Sequence, residues 1–127
     1  MDQQRRILLA SAGQLAVLAA CKPLAGASAQ PVLPSYPFSL GVASGSPLPD
    51  SVILWTRIIS DPLNAAAIPP VSFTVRWEVA HDEAFTRIAA KGSASAVPEL
   101  AHSVHADATG LAPGRWYWYR FMLGDAV

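Results

Sequence analysis

His102 and His105 stand three residues apart beside Asp107, the residue types of a small metal site. On an extended strand, positions three apart face opposite sides, so this pair would not converge on one ion. The spacing instead favours polar side chains on a solvent face. Ser44 closes Gly41-Val42-Ala43-Ser44, but it is misplaced for the Gly-x-Ser-x-Gly elbow of a nucleophilic serine, and a turn is its expected role. Arg76 and Glu78, two apart, read as one solvated or interdomain strand face. Cys21 is the sole cysteine, so no intrachain disulfide can form; three unclustered histidines leave no ready zinc site. These residues nominate no catalytic group and no cofactor or metal site in this chain.

The elements that would position them are short. The chain has 127 residues, 52% hydrophobic and 14% charged, with nine basic against nine acidic residues. That length supports one domain, and the absent net charge argues against a nucleic-acid partner held by electrostatics. Eleven prolines and eight glycines lie among apolar runs, which implies many short elements joined by turns rather than a helical bundle.

The hydrophobic excess is partly local. Arg5 and Arg6 precede an uncharged stretch from Ile7 to Ala20, followed by small residues up to Ala29. A basic start, an apolar middle and a small-residue end make an export signal over residues 1–29. The apolar stretch is too short for the ~20 residues of a membrane-spanning helix, so no stable membrane span is expected. Arg5-Arg6 ahead of Ile7-Leu8-Leu9, a mild apolar core and Lys22 near the cleavage region resemble a twin-arginine signal. Ala27-Ser28-Ala29 is an A-x-A cleavage site that would leave Gln30 first. Leu18-Ala19-Ala20-Cys21 resembles a lipobox, the alternative route, which would anchor the protein by lipid on Cys21. The expected locations are periplasmic or secreted, with the export machinery as partner of residues 1–29. Without those residues the chain has eight acidic and six basic residues and no cysteine, so its stability must come from a core.

Residues 30–37 carry three prolines and read as an extended leader. Strands are then expected over Phe38–Ala43, Ser51–Ile59, Val71–Ala80, Ile88–Ala96, Ser103–Thr109 and Trp116–Leu123, with a turn at Ser44-Gly45-Ser46-Pro47 and a proline-rich loop over 60–70. In the clearest, Phe73, Val75, Trp77 and Val79 alternate with Thr74, Arg76 and Glu78. Val104, Ala106 and Ala108 alternate in the same way with His105 and Asp107. Short connections imply antiparallel pairing, and the pattern as a whole implies an all-β sandwich.

Two local patterns refine that architecture. Leu111-x-Pro113-Gly114-x-x-Tyr117-x-Tyr119 matches a tyrosine corner, in which a phenolic oxygen near a strand start ties to an upstream backbone group. Ser51-Val52-Ile53-Leu54-Trp55 resembles the tryptophan-bearing second strand of fibronectin type III domains, which places Trp55 in the inter-sheet core. In the last strand, Trp116 and Trp118 would share one face, and Tyr117, Tyr119 and Phe121 the other. A free-standing domain buries only one of these, so the tryptophan side is the candidate interdomain face.

Taken in order, these residues resemble a known family. Phe38-Ser39-Leu40-Gly41-Val42-Ala43-Ser44-Gly45, then Pro47, then Ser51-Val52-Ile53-Leu54-Trp55-Thr56-Arg57, resemble the opening of PhoD-type alkaline phosphatases. Val75-Arg76-Trp77-Glu78-Val79-Ala80 and Leu111-Ala112-Pro113-Gly114-Arg115-Trp116-Tyr117-Trp118-Tyr119-Arg120-Phe121 are similar to the same N-terminal domain. Ser46 departs from the aspartate usual in that family and can make the same local turn bond more weakly.

The resemblance implies an immunoglobulin- or fibronectin III-like sandwich over 38–127 that lacks its last strand. It also implies a metallophosphoesterase domain that follows in full-length relatives and hydrolyses phosphate mono- and diesters with iron and calcium. None of that domain's motifs occurs in these 127 residues. The chain is therefore expected to be non-catalytic, a fragment whose partner is its own catalytic domain. The competing expectation is a secreted module that binds carbohydrate or a cell-surface partner through its exposed aromatics.

Overall fold

The computed structural model describes residues 30–127. Arg5, Arg6, Cys21, Ala27 and Ala29, on which the export and lipidation expectations rest, lie outside the described residues. Six strands follow in order: β1 (Val42–Leu48), β2 (Ser51–Arg57), β3 (Phe73–Ala80), β4 (Ile88–Ala96), β5 (Ser103–Thr109) and β6 (Trp118–Met122). Every paired strand is antiparallel, and the two sheets are ordered β1-β2-β5 and β4-β3-β6. The core lies between them, so the architecture is the expected all-β sandwich.

Side-chain alternation builds that core. Phe73, Val75, Trp77 and Val79 are all buried, whereas Thr74 and Arg76 between them are exposed. Across the β3–β4 ladder these large residues meet Ala96, Ala94, Gly92 and Ala90 in turn. Large against small fills the layer without overlap. Gly92 is required here because a Cβ at this position would lie 2.7 Å from Cζ2 of Trp77. From the facing sheet come Leu54, Val104, Ala106 and Ala108, and Phe121 joins from β6.

Strand boundaries differ from expectation at both ends of β1 and β6, at the end of β2 (Arg57 rather than Ile59) and at the start of β3 (Phe73 rather than Val71). Phe38 is not in the first strand; it forms an isolated parallel bridge with Ile59 and packs its ring 6.4 Å from that of Phe121. Gly41, at φ +80°, bends the chain after it, and the Gly41 N–H donates to the Phe38 carbonyl at 2.8 Å. β1 therefore starts at Val42 and runs through Ser44-Gly45-Ser46-Pro47, the expected turn. The irregularity survives inside the strand as a register shift between Gly45 and Leu48, with Ser46 at φ +48°. β6 begins at Trp118 rather than Trp116, because the turn at Pro113-Gly114 and the corner that follows it occupy residues up to Tyr117.

The leader is extended and docked. The Gln30 side chain donates from Nε2 to the Thr74 carbonyl at 3.1 Å and accepts the Thr74 N–H at 2.8 Å, as a strand neighbour would. Ser35 donates to the Ser60 carbonyl, and Tyr36 donates to the Val127 carbonyl at 2.7 Å. Within the loop between β2 and β3 a single 3-10 turn, Ala65–Ala67, is capped by Asn64.

Candidate functional site

The residues whose types suggested metal chemistry are separated by the fold. His102 is not on β5. It sits just before it, buried, at φ +57° after Ala101 at φ +51°. Its Nε2 lies 2.9 Å from the Val71 carbonyl and its ring meets Phe73 edge-on, which ties the loop before β3 to the start of β5. The expectation of a solvent-face residue is thus corrected for His102. The two left-handed residues that follow the Pro98–Leu100 turn roll its side chain inward. His105 and Asp107 are exposed on the outer face of β5, as expected. Among the described residues no three of His, Cys, Asp and Glu come together. The donor set for iron or calcium is absent from them.

Ser44 belongs to a strand, paired with Leu54, rather than to a free turn. The strand it stands on leads directly into a hairpin with β2, so the strand-to-helix setting of a nucleophile elbow does not arise.

Trp55 corrects a second expectation. It is half-buried on the outer face of β2, opposite His105, while its neighbour Leu54 fills the core opposite Ala106. Trp77, by contrast, is a core residue. Tyr117 makes the corner: its hydroxyl accepts the Ala112 N–H at 2.9 Å, and its ring stands 5.2 Å from that of His81.

Trp116 and Trp118 do not form one patch. Trp116, outside the strand, is 88% exposed and borders a cavity between the sheets; Trp118, 39% exposed, stands on the outer face of β6 opposite Ala80. The expected shared face assumed that the strand began at Trp116. The cavity, of about 310 Å³, reaches inward to Leu54 and Val79 and is walled by Leu48, Val52, Tyr117 and Tyr119.

Beside Trp118 lies a polar cluster that the sequence did not reveal. Arg120 donates from Nε and Nη2 to Oε2 of Glu78, at 2.9 and 2.7 Å, and the ring of Phe85 covers the guanidinium at 4.1 Å. Glu78 and Arg120 are 42 residues apart, and only the β3–β6 register sets them opposite each other. Phe85 reaches over them from a tight loop in which it adopts φ +55°. Asp82 organises that loop by accepting Thr86 Oγ1 at 2.7 Å, the Thr86 N–H at 3.0 Å and the Arg87 N–H at 2.8 Å. The hydrogen bond from the Thr86 side chain, then that from its backbone, holds the Asp82 carboxyl below its ordinary value.

Comparisons with known proteins give the chain its family. Residues 25–127 match the family described as PhoD-like phosphatase, N-terminal domain. The chain belongs to this family. It is 50% identical over 129 residues to alkaline phosphatase D of Bacillus subtilis (strain 168), which covers 97% of this chain and 22% of that protein. A solved structure described as "Structure of PhoD" superposes with a TM-score of 0.73 at 55% identity, over 76% of this chain and 18% of that one. The chain thus spans about a fifth of the length of these relatives. The region they share is the PhoD-like N-terminal domain. Among the described residues no helix is long and apolar enough to cross a membrane.

Proposed function

We propose that this chain is the non-catalytic N-terminal sandwich of an exported phosphatase of the PhoD type, and that it packs against the catalytic part of the whole enzyme. The observation that carries this reading is the family match over residues 25–127, together with an alignment that covers only 22% of alkaline phosphatase D. Hydrolysis of phosphate esters, with the iron and calcium it uses, belongs to the remaining length. Export by the twin-arginine route is supported by Arg5-Arg6 and the small-residue end at Ala27-Ser28-Ala29. Cleavage after Ala29 leaves Gln30 first, in the place where its side chain pairs with Thr74.

The interdomain face in this reading is the outer face of β6 around Trp118, next to the Arg120–Glu78 pair. A half-exposed tryptophan beside a half-buried, ion-paired guanidinium is the composition of an interface centre. The deciding experiment compares phosphate-ester hydrolysis by the 127-residue chain with hydrolysis by a chain extended to the length of the Bacillus relative. Turnover is expected only from the extended chain, and turnover by residues 1–127 alone would overturn the reading. In the extended enzyme, Trp118→Ser is expected to weaken the packing of the two parts, read as loss of a single cooperative unfolding transition.

A further inference from the structure

The leader is fastened to β3 by a side chain rather than by its main chain. β6 stops at Met122, opposite Arg76, short of Thr74 on β3. In an antiparallel ladder the N–H and C=O of one residue point to the same side. Both of these groups on Thr74 are taken by Gln30: its Oε1 accepts the N–H at 2.8 Å and its Nε2 donates to the C=O at 3.1 Å. The carboxamide thus stands in for the peptide groups of a neighbouring strand. Pro31 restricts Gln30 to extended backbone, and Leu33, packed against the core, fixes the leader behind it. Gln30 itself is exposed to solvent.

A glutamine at a free N-terminus carries its own electrophile. Its α-amine attacks Cδ of the side chain, and a cyclic lactam forms as the Cδ–Nε2 bond breaks. The leaving nitrogen takes one proton from the amine and departs as ammonia, so the step needs no oxidant and no second reactant. The attack requires the amine within about 3–3.5 Å of Cδ, with the side chain curled back on its own residue. A carboxamide held by Thr74 at both its oxygen and its nitrogen adopts that geometry only by losing both bonds. We propose that Gln30 is a latent cyclisation site and that the Thr74 main chain guards it in the open form. The inference rests on the export reading, because cleavage after Ala29 is what frees the Gln30 amine. The guard also protects the fold of the leader. Ring closure draws the former carboxamide onto the α-nitrogen, out of reach of Thr74, and so unfastens the leader from β3. Both bonds are exposed, so the guard slows closure without abolishing it.

The test uses the 127-residue chain exported by a bacterial host, with a free peptide of residues 30–37 as the unguarded reference. Mass spectrometry of the exported product identifies its first residue and follows the loss of one ammonia with time at neutral pH. Cyclisation in the folded chain is expected to run on the order of tenfold slower than in the peptide. It is expected to reach the peptide's rate when the chain is unfolded in guanidinium chloride. Amide exchange at Thr74 should speed up in step with the loss of ammonia. Equal rates in the folded chain and the peptide would overturn the proposal and leave the export reading intact. Protection of the Thr74 amide that persists in the cyclised product would remove Thr74 as the guard. A product that begins at a lipidated Cys21 would overturn cleavage after Ala29, and the proposal with it.

Discussion

β2 and β3 each carry a tryptophan near the middle, and the fold treats the two differently. Trp77 is in the core and Trp55 is on the outside of its sheet. On β3 the large apolar residues occupy one parity only, so burial of that face is specified by the strand itself. On β2, Val52, Ile53, Leu54 and Trp55 are consecutive, and both parities are apolar. The decision there is made by β5, where Val104, Ala106 and Ala108 alternate with His105 and Asp107. The β2–β5 register puts Leu54 opposite Ala106 and Trp55 opposite His105, which turns Trp55 outward. A strand without its own alternation takes its inside from its neighbour.

The comparison can be broken most severely at Trp77. Trp77→Ala should destabilise the described sandwich by about 3–5 kcal/mol, measured as a lower urea midpoint at constant slope. An effect of that size at Trp55→Ala would reverse the assignment of the two faces. Next in size, Gly92→Val pushes a branched side chain into the Trp77 ring and should cost about 1–3 kcal/mol. The same substitution at Gly45, where a Cβ would meet nothing, separates this clash from a general loss of glycine.

Tyr117→Phe leaves the ring in place and removes the acceptor of the Ala112 N–H, which should cost about 1 kcal/mol and speed exchange of that amide. Trp55→Ala is expected to cost no more than about 1 kcal/mol. Smallest is the effect of acid on the Asp82 loop. Because the Asp82 carboxyl is held below its ordinary value, its contribution is present above that value and fades as pH falls through the lowered one. Asp82→Asn should flatten that part of the stability-versus-pH curve, which thermal unfolding at a series of acid pH values would measure.

Much of the fold was legible because the decisive signals are local. The alternation of β3 and β5, the alanine-rich β4 and the spacing of the tyrosine corner name their elements without knowledge of partners. The misplaced turn and the misplaced His102 share a cause in conformations that one-dimensional patterns do not encode. Ser46, Ala101 and His102 all adopt left-handed backbone without being glycine, and each displaced an expectation: the turn inside β1 or the place of His102. The candidate surface was less legible than the fold. Arg120, Glu78 and Phe85 meet only through cross-strand register and a loop.

β1 is bonded to β2 alone, and every one of its seven residues is exposed. No buried side chain anchors it, so peeling it away breaks main-chain bonds but opens little of the core. Its unfolding should therefore be a separate, low-energy event that precedes global denaturation. Among the six strands, β1 should be the first that a protease can cut, while β3, enclosed between β4 and β6, should outlast the others.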